Sequence, residues 1–549
     1  MSLKKDSLIK GTIILAAAAL VARFLGIFQR VPLDYMLTEA GDGYFSAANN
    51  IYLLLLVIAT GGLPSTISKM VSERYAQGRI GEAEEIYRAS LYFGIVAGVL
   101  IAGLLYLFAP FIATHISHNP GAAQSIRAVA PTLLLFPVIA MMRGYFQGRQ
   151  FMTAGGVSQI IEQILRVVAG VGIALVLLQW GYSDEWVSAG AVYGSVFGSI
   201  GAFLVMLGYA YKLKKADEAA RSRSYSYTGA RTQRGQKRKS RLRDIYREIF
   251  RMSVPIVLTA MTVQFFYTID TNLFYPMTKA FYSSQEAIDA ALSALGMKAQ
   301  PIAGIPVILA VALSQSIIPV ISTAYAKRNM LEVERQISLV MRIVLYTGVP
   351  AAVAMTVAAP SITSLIYTPG GAGVVAALTA GTILQITMMT TNSILFGLGK
   401  PRQAMYHTVT GMILKFALSW ALGPLLGVYG LIIASTISYL YITLLNFASI
   451  RKVRKLQILG AKWRPYLIVI AVTALVGWGV DSAGLLLLDG LPLKLASFLT
   501  AAAAGIVIGF VYLILLVLLG VVTKQDADSF PGPLRKLFGR LLRLRRRAH

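Results

Sequence analysis

Residues 501–519 read AAAAGIVIGFVYLILLVLL, an apolar run without a charged side chain. Such a run is close to the roughly 20 residues that an α-helix needs to cross the hydrocarbon core of a bilayer. Similar runs recur along nearly the whole chain of 549 residues, of which 56% are hydrophobic and only 14% charged. They lack the alternating polarity of outer-membrane β-strands. The sequence therefore predicts an all-α integral membrane protein, with no room for a soluble catalytic domain.

Hydropathy predicts about fourteen membrane helices. The predicted spans lie near 11–29, 45–65, 87–113, 127–148, 157–180, 187–211, 247–275, 300–325, 335–358, 372–399, 403–423, 428–450, 464–488 and 493–523. Lys and Arg concentrate in the connections after even-numbered spans, whereas Asp and Glu concentrate after odd-numbered ones. Because cytoplasmic loops carry the excess of Lys and Arg, we expect both termini on the cytoplasmic side.

Two basic segments lie outside the predicted spans. Residues 212–246 are rich in Lys, Arg, Ser and Gln and are interpreted as a partly disordered cytoplasmic linker. Residues 524–549 form a basic tail, and the two segments supply much of the formal net charge of +27. Basic clusters beside a membrane attract anionic lipids by about 1 kcal/mol per charge. We therefore expect anionic membrane lipid, and not nucleic acid, as their partner.

The two halves of the chain show weak self-similarity across the linker. Gly148-Arg149 is echoed by Gly399-Lys400, and Pro64 is echoed by Pro319. Tyr193-Gly194, interpreted as the opening of the sixth helix, is echoed by Tyr429-Gly430 at the opening of the twelfth. Internal repeats of this kind are typical of transporters that work by alternating access.

The repeat predicts a domain organisation with two six-helix lobes. The N-lobe would comprise residues 1–211 and the C-lobe residues 247–450. Two appended helices would occupy residues 451–523, followed by the basic tail at 524–549. In transporters built this way the substrate binds near the bilayer midplane, so we expect a cavity shared by the two lobes.

Nothing in the sequence indicates an enzyme or a metal site. The chain has no cysteine, which excludes thiolate chemistry. Its four histidines, His115, His118, His407 and His549, form no ligand pattern. The predicted outer loops are short. We therefore expect no metal, no cofactor and no enzymatic activity.

Charged and amide side chains within or beside the predicted spans are the candidate binding residues. A charge at bilayer depth costs about 2.5–3.5 kcal/mol, so it is expected to face a cavity or a partner. The candidates are Arg23, Arg30, Asp42, Asn49, Asn50, Gln147, Gln159, Glu162, Arg166, Asp270, Lys298 and Gln300. The first half of the chain offers mostly Arg with amides, and a guanidinium suits bidentate phosphate binding. The cavity is therefore expected to bind an anion.

Several of these charges have structural alternatives. Glu162 and Arg166 are spaced i,i+4 and could form an ion pair on one helix. Arg143 and Arg30 could extend their charged ends to the membrane surface. Arg23 lies well inside the first helix with no acid three or four residues away. A position facing the cavity is therefore favoured for Arg23.

Four segments resemble a known family. Arg23–Gly26, Arg143–Gly148, Val157–Arg166 and Tyr267–Asn272 are similar to the YtgP/MurJ-type lipid II flippases. These are relatives of SpoVB within the multidrug/oligosaccharidyl-lipid/polysaccharide exporter superfamily. The resemblance implies a flippase that moves undecaprenyl-pyrophosphate-linked disaccharide-pentapeptide across the bacterial cytoplasmic membrane. It also implies that Arg23 lines a cationic cavity and that the last two helices form a groove for the lipid tail.

The resemblance assigns roles to individual residues and also shows departures. Asp42 matches an acid at the start of helix two. Gram-negative members have arginines within helices two and eight, where this chain has Leu54–Leu56 and Gln300 near Lys298. We therefore expect Arg23, with Arg30 or Lys298, to bind the pyrophosphate. The amides expected to meet sugar or peptide groups are Gln147, Gln159 and Asn49 or Asn50.

Other functions stay open on the sequence alone. The cargo could be a teichuronic, capsular or spore-envelope precursor carried by the same fold. A cation-coupled multidrug antiporter would use Asp270 or Glu162 as its coupling acid. A lipid-linked glycosyltransferase would need catalytic acids on a sizeable outer loop, which the short predicted loops disfavour. Cell-wall synthesis proteins are a further candidate partner.

Overall fold

The computed structural model describes residues 8–60, 62–227, 242–307, 318, 321–322, 324–325, 327–453 and 458–522, and these residues are predominantly helical. The predicted all-α fold is confirmed. The chain divides into two compact units, Met1–Pro276 and Met277–His549. The side chain of Arg23 lies outside the described part of the chain.

The first unit is built mainly from long helices. Its helices are α1 (Leu8–Met36), α2 (Glu39–Thr60), α3 (Leu63–Ala76), α4 (Ile80–Phe111), α5 (Ala122–Gly148), α6 (Met152–Gln179), α7 (Asp184–Tyr227), α8 (Leu242–Ala260) and α9 (Thr262–Asn272). Glu39 and Asp42 lie in the first turn of α2, where acids complement the positive end of the helix dipole. Pro64 lies in the first turn of α3, where its missing N–H costs nothing.

The second unit follows α10 (Phe274–Thr278), which contains the division. Its helices are α11 (Gln285–Ser293), α12 (Met330–Val357), α13 (Ala359–Ile366), α14 (Ala372–Gly397), α15 (Pro401–Leu426), α16 (Val428–Arg451), α17 (Trp463–Leu487) and α18 (Leu493–Leu518). A π-helical turn at Ala294–Ala299 continues α11. Such turns are rare and are often found at functional sites.

The predicted number of fourteen spans is not confirmed. Within the described residues, eleven helices are long and apolar enough to cross a membrane. The number becomes twelve if α8 and α9, which meet at a bend of 52°, form one span. The eighth predicted span, 300–325, lies largely outside the described residues. Each of the other predicted spans overlaps a helix in the structure.

A buried apolar cluster joins α3, α4 and α5 to the start of α8. It contains Ile67, Ile86, Ile139 and Ile249. The other side of α4 exposes large apolar side chains such as Leu107. Because lipid tails are as apolar as leucine, this exposed surface is suited to face hydrocarbon.

The helix α7 continues far beyond the predicted end of the sixth span at residue 211. It ends at Tyr227, and α8 begins at Leu242, so the predicted linker is helical at both ends. Arg149, which follows α5, binds Asp217 on this extension. Tertiary contacts of this kind stabilise a helix that its composition alone would not favour. Residues 228–241 of the linker lie outside the described part.

The division after Pro276 differs from the predicted boundary within the linker. The helices α8 and α9, predicted to open the C-lobe, are grouped with the first unit because they pack on α2 and α3. For example, Ser253 of α8 donates a hydrogen bond of 2.9 Å to Thr66 of α3. The organisation into two six-helix lobes stays a prediction.

The positions that suggested the repeat are only partly equivalent in the fold. Gly430 lies in the first turn of α16 as expected, whereas Gly194 lies well inside α7. Both glycines nevertheless allow close approach to the preceding helix, because a Cβ would collide with Gly170 in the first case and Leu422 in the second. Pro319 lies outside the described residues.

In the second unit, α17 and α18 pack together on α12. Val469 of α17 and Leu516 of α18 are buried in one apolar cluster with Val349 of α12. The hydroxyl of Tyr466 on α17 donates a hydrogen bond of 2.8 Å to the carbonyl oxygen of Leu345 on α12. The predicted groove for a lipid tail on this helix pair stays a prediction.

Candidate functional site

A narrow polar pocket lies inside the first unit, between α1, α2, α6 and α7. It is lined by Gln29, Phe45, Asn49, Tyr52, Arg166, Ala191, Val192 and Ser195. The space between these side chains is too small to hold a water molecule. In this conformation the pocket is closed, and a ligand group can enter only if the pocket widens.

Arg166 is the cation of this pocket. Its Nη2 donates a hydrogen bond of 2.7 Å to Oδ1 of Asn49. Its guanidinium carbon lies 4.7 Å from the centre of the Tyr52 ring, within cation–π distance. Its Nε is buried and has no hydrogen-bond partner in the described part of the chain. An unsatisfied buried donor costs free energy, so this N–H would gain an acceptor if a wider pocket admitted a polar group of a ligand.

Two glycines on α7 explain why Arg166 sits where it does. A Cβ on Gly194 would collide with the carbonyl oxygen of Arg166, and one on Gly198 would lie 2.6 Å from the carbonyl oxygen of Glu162. Because glycine has no Cβ, α7 can lie directly against the turn of α6 that carries both residues. The Gly-x-x-x-Gly spacing thus brings the α7 lining of the pocket close to Arg166.

Glu162 is paired with Arg143 and not with Arg166. Nη2 of Arg143 lies 2.8 Å from Oε2 of Glu162 and 2.9 Å from Oγ of Ser158. The intrahelical alternative for Glu162 and Arg166 is therefore wrong, and the surface position considered for Arg143 stays a prediction. The pair neutralises the acid next to the pocket, and Arg166 has no ion-pair partner among the described side chains.

Arg30 is also buried, so the alternative in which it extends to the membrane surface is wrong. It is 8% exposed, and its guanidinium carbon lies 5.7 Å from the centre of the Phe45 ring that lines the pocket. Asp34 and Asp42 are buried as well. All three have further polar or electrostatic partners. Arg30 is thus next to the pocket lining, within a set of partnered charges.

The amide of Asn50 connects α2 with α9. It accepts a hydrogen bond of 3.1 Å from Gln264 and donates one of 3.2 Å to Thr271. Asn272 donates to the carbonyl oxygen of Ala47 at 3.3 Å. Asp270 is buried on the same short helix. Asn50 is therefore engaged in holding two helices, whereas Asn49, its neighbour, lines the pocket.

The remaining candidates lie away from this pocket lining or in the other unit. Gln147 of α5 and Gln159 of α6 are half-buried. Lys298 and Gln300 belong to the second unit, where Nζ of Lys298 donates to the backbone oxygen and the hydroxyl of Thr368 at 3.0 and 2.9 Å. Lys298 therefore has a structural role in this conformation.

Sequence reasoning missed three polar residues of the pocket. Gln29, Tyr52 and Ser195 line it, and Gln29 donates to the carbonyl oxygen of Ala191 at 3.4 Å. Gln29 precedes Arg30, and Tyr52 is one turn from Asn49, so helical spacing from the recognised candidates could have found both. In the described residues no group of three His, Asp or Glu side chains is placed to hold a metal ion.

The long apolar helices are those of a multi-pass membrane protein. The sequence model of the polysaccharide biosynthesis protein family matches residues 8–325, which is more than half of the chain. The chain therefore belongs to the polysaccharide biosynthesis protein family. The resemblance to MurJ- and SpoVB-type proteins is confirmed.

Individual relatives agree with this membership. The chain is 27% identical to lipid II flippase MurJ of Bacillus subtilis (strain 168) over 465 residues, which cover 81% of this chain and 83% of the relative. It is 25% identical to stage V sporulation protein B of the same organism over 551 residues, covering 98% and 99%. Its fold matches a solved lipid II flippase MurJ in an inward closed conformation with a TM-score of 0.64, 14% identity, and coverage of 92% and 98%.

Proposed function

We propose that the chain is a flippase that moves a polyprenyl-pyrophosphate-linked saccharide, with lipid II as the first cargo to test, across the bacterial cytoplasmic membrane. The observation that carries the proposal is the buried Nε of Arg166, which lacks a partner in the described residues and lies beside an amide-lined pocket. Moving a pyrophosphate through hydrocarbon would cost tens of kcal/mol. Fixed guanidinium groups reduce that cost because they replace the water lost by the phosphate oxygens.

The pocket residues have separate roles in this proposal. The free Nε–H of Arg166 donates to an oxygen of the head group, while Nη2 stays on Asn49. A hydrogen bond from a charged guanidinium is stronger to an anionic oxygen than to a neutral one, so this single donor favours an anionic head group. Gln29 and Ser195 supply amide and hydroxyl groups for a neighbouring sugar or peptide group.

Complementation of a bacterium depleted of its lipid II flippase tests the role of Arg166. We expect Arg166→Ala to lose most of the translocation, with lipid II accumulating in the inner leaflet, and Arg166→Lys to retain part of it. The control is Arg335→Ala, because Arg335 has a side chain 71% exposed on α12. Full translocation by Arg166→Ala would show that Arg166 does not bind the head group during transport.

Arg23 remains a proposed pyrophosphate ligand from the family resemblance. It is tested in the same strain by Arg23→Ala and Arg23→Glu. We expect both variants to fail, and the reversal to fail more completely because it adds repulsion of an anionic cargo. Full translocation by both variants would remove Arg23 from the site. Neither result depends on the outcome for Arg166.

A spore-envelope precursor is the second candidate cargo. The similarity to stage V sporulation protein B extends over 98% of this chain, which is the observation that favours it. Expression in a sporulating strain that lacks that relative distinguishes the two cargoes. Restored spore-envelope assembly without rescue of the lipid II flippase strain would assign the chain to the sporulation cargo.

Anionic lipids of the inner leaflet are a proposed partner of α8. In this proposal both chain termini lie on the cytoplasmic side of the membrane, the side of the same leaflet. Arg243, Arg247 and Arg251 are exposed at intervals of four residues, whereas Ile245 and Ile249 on the opposite face are buried. An amphipathic basic face of this kind suits the head-group region. Changing the three arginines to Gln is expected to lower the phosphatidylglycerol that co-purifies with the protein. Unchanged lipid content would contradict this partner.

A further inference from the structure

The short helix α13 in the second unit is held at both ends by side chains from other helices. It has eight residues, Ala359–Ile366, and follows a break at Ala358. Its own N-cap residue provides no side-chain hydrogen bond. A helix this short is marginal by itself because few hydrogen bonds offset the cost of nucleation. Its stability therefore depends on the groups that meet its free N–H and C=O groups.

The N-terminal end of α13 is met by a carboxylate from α17. Asp481, which is 1% exposed, accepts a hydrogen bond from the hydroxyl of Ser361. Ser361 lies in the first turn of α13, where backbone N–H groups lack partners within the helix. Asp481 thus caps α13 from a helix more than a hundred residues further along the chain.

The C-terminal end of α13 is met by an ammonium group from α18. Nζ of Lys494 donates to the carbonyl oxygens of Leu365 and Tyr367 at 2.9 and 3.0 Å. These carbonyls belong to the last turn of the helix and to the residue just after it. The acid and the base therefore come from adjacent helices, α17 and α18, and bind opposite ends of α13.

The segment after α13 leads directly to Lys298. Thr368, the next residue after Tyr367, accepts from Nζ of Lys298 through both its oxygens. Gly371 lies at φ +81°, and a Cβ there would come within 2.7 Å of Ala294, in the π-helical turn that carries Lys298. The end of α13 and the turn of Lys298 are thus in close contact.

The signs of the two charges match the polarity of α13. A helix carries partial positive charge at its N-terminus and partial negative charge at its C-terminus, so a carboxylate is favoured at the first and a cation at the second. Asp481 and Lys494 have this arrangement. Each one interacts with a helix end of fixed polarity, and no contact between the two side chains is required for the effect.

We propose that Asp481 and Lys494 form a polarity-matched bracket by which α17 and α18 hold α13 and, through Thr368, position Lys298. Both are positioning residues. The bracket makes the terminal helix pair a determinant of the conformation around Lys298. This role is independent of the cargo, because hydrogen exchange and amine labelling report on the structure of the protein itself.

Hydrogen exchange and amine labelling of the full-length protein in nanodiscs test the bracket. We expect Asp481→Asn and Lys494→Gln each to accelerate exchange of residues 359–371 by about tenfold, the effect of losing one charge-assisted hydrogen bond. We also expect each variant to increase acylation of the buried Lys298 amine. The second readout matters because neither substitution touches Lys298 directly.

Matched controls separate the bracket from general effects of charge. Asp489 and Lys279 are exposed in the same unit, so Asp489→Asn and Lys279→Gln are expected to leave both readouts at the wild-type level. Lys494→Arg, which keeps the charge, is expected to retain most of the protection. If Asp481→Asn fails to fold, the exposed Lys494 still provides the test. Wild-type exchange and labelling in Lys494→Gln would overturn the proposal.

Charge reversal distinguishes a bracket on a helix from an ordinary ion pair. In the double variant Asp481→Lys/Lys494→Glu, a mutual ion pair would be restored. The bracket would not be restored. A lysine at position 481 would face the positive N-terminal end of α13, and a glutamate at position 494 would face its negative C-terminal end. We therefore expect the double variant to exchange at least as fast as either single substitution. Restoration of wild-type protection would overturn the proposal.

Discussion

Arg149 binds Asp217 through two parallel hydrogen bonds, each of 2.7 Å, one from Nη1 and one from Nη2. The guanidinium carbon also lies 4.9 Å from the centre of the Tyr75 ring and 5.8 Å from that of Phe151. Bidentate binding and stacking together use the planar shape of the guanidinium, which lysine lacks. The pair fixes the extension of α7 to the end of α5 and to α3.

Replacing Arg149 by Lys should destabilise the first unit although the charge is kept. The loss of one hydrogen bond and of the aromatic contacts is expected to lower the unfolding free energy by about 1–3 kcal/mol. Thermal unfolding of the purified protein, followed by fluorescence, measures the change. The exposed Arg402 provides the control substitution Arg402→Lys. Equal melting temperatures for the two variants would mean that the planar contacts contribute little.

Gly194→Ala should separate α7 from α6 and disturb Arg166. The added methyl group would collide with the carbonyl oxygen of Arg166, and overpacking of this kind costs about 1–3 kcal/mol. We expect reduced melting temperature together with reduced translocation. On the same helix, Gly208 has no heavy atom within 4 Å of an added Cβ, so Gly208→Ala is the matched control. A neutral result for Gly194→Ala would contradict the tight α6–α7 contact.

The hydrogen bond between Asn50 and Thr271 should be measurable as a coupling between α2 and α9. Double-mutant cycles of buried polar pairs in a membrane protein average about 0.6 kcal/mol. We expect a coupling of this order from Asn50→Leu, Thr271→Val and the double variant, measured by reversible unfolding in detergent. Additive effects of the two substitutions would indicate that the side chains do not interact.

Alkaline pH should reveal the burial of Tyr282. Burial raises the pKa of its hydroxyl above the ordinary value, against the opposing effect of the hydrogen bond from the Val428 backbone N–H. The folded protein therefore holds this proton more tightly than the unfolded chain. The corresponding stability is present below about pH 10 and is lost as the pH rises through the folded pKa. Tyr282→Phe should make the alkaline decline of the unfolding free energy shallower, whereas Tyr182→Phe, at a half-exposed loop tyrosine, should not.

The helices could be predicted well from sequence because apolar length determines them. All predicted spans except the eighth overlap described helices, although their number is not confirmed. The end of α7 could not be predicted, because the contact of Asp217 with Arg149 joins residues 68 positions apart. A composition rich in Lys and Ser indicated disorder there. Local composition carries no information about such a distant anchor.

The candidate site could be predicted in its residue types but not in its pairings. The sequence predicts Arg166, Asn49 and Arg30 as binding residues, and all three lie at or beside the pocket. The predicted partner of Glu162 is wrong. The i,i+4 spacing favours Arg166, whereas the fold brings Arg143 of α5 into contact with Glu162. Pairing between helices depends on their rotation about their own axes, which one sequence does not reveal.

The continuous course of α7 has a mechanical consequence. Its 44 residues correspond to a rod about 66 Å long, over twice the thickness of a hydrocarbon core. Because Arg149 holds Asp217 near the far end of this rod, a tilt of α7 is transmitted to the end of α5. Spectroscopic labels near residues 149 and 219 would therefore move together and keep a constant distance while α7 tilts.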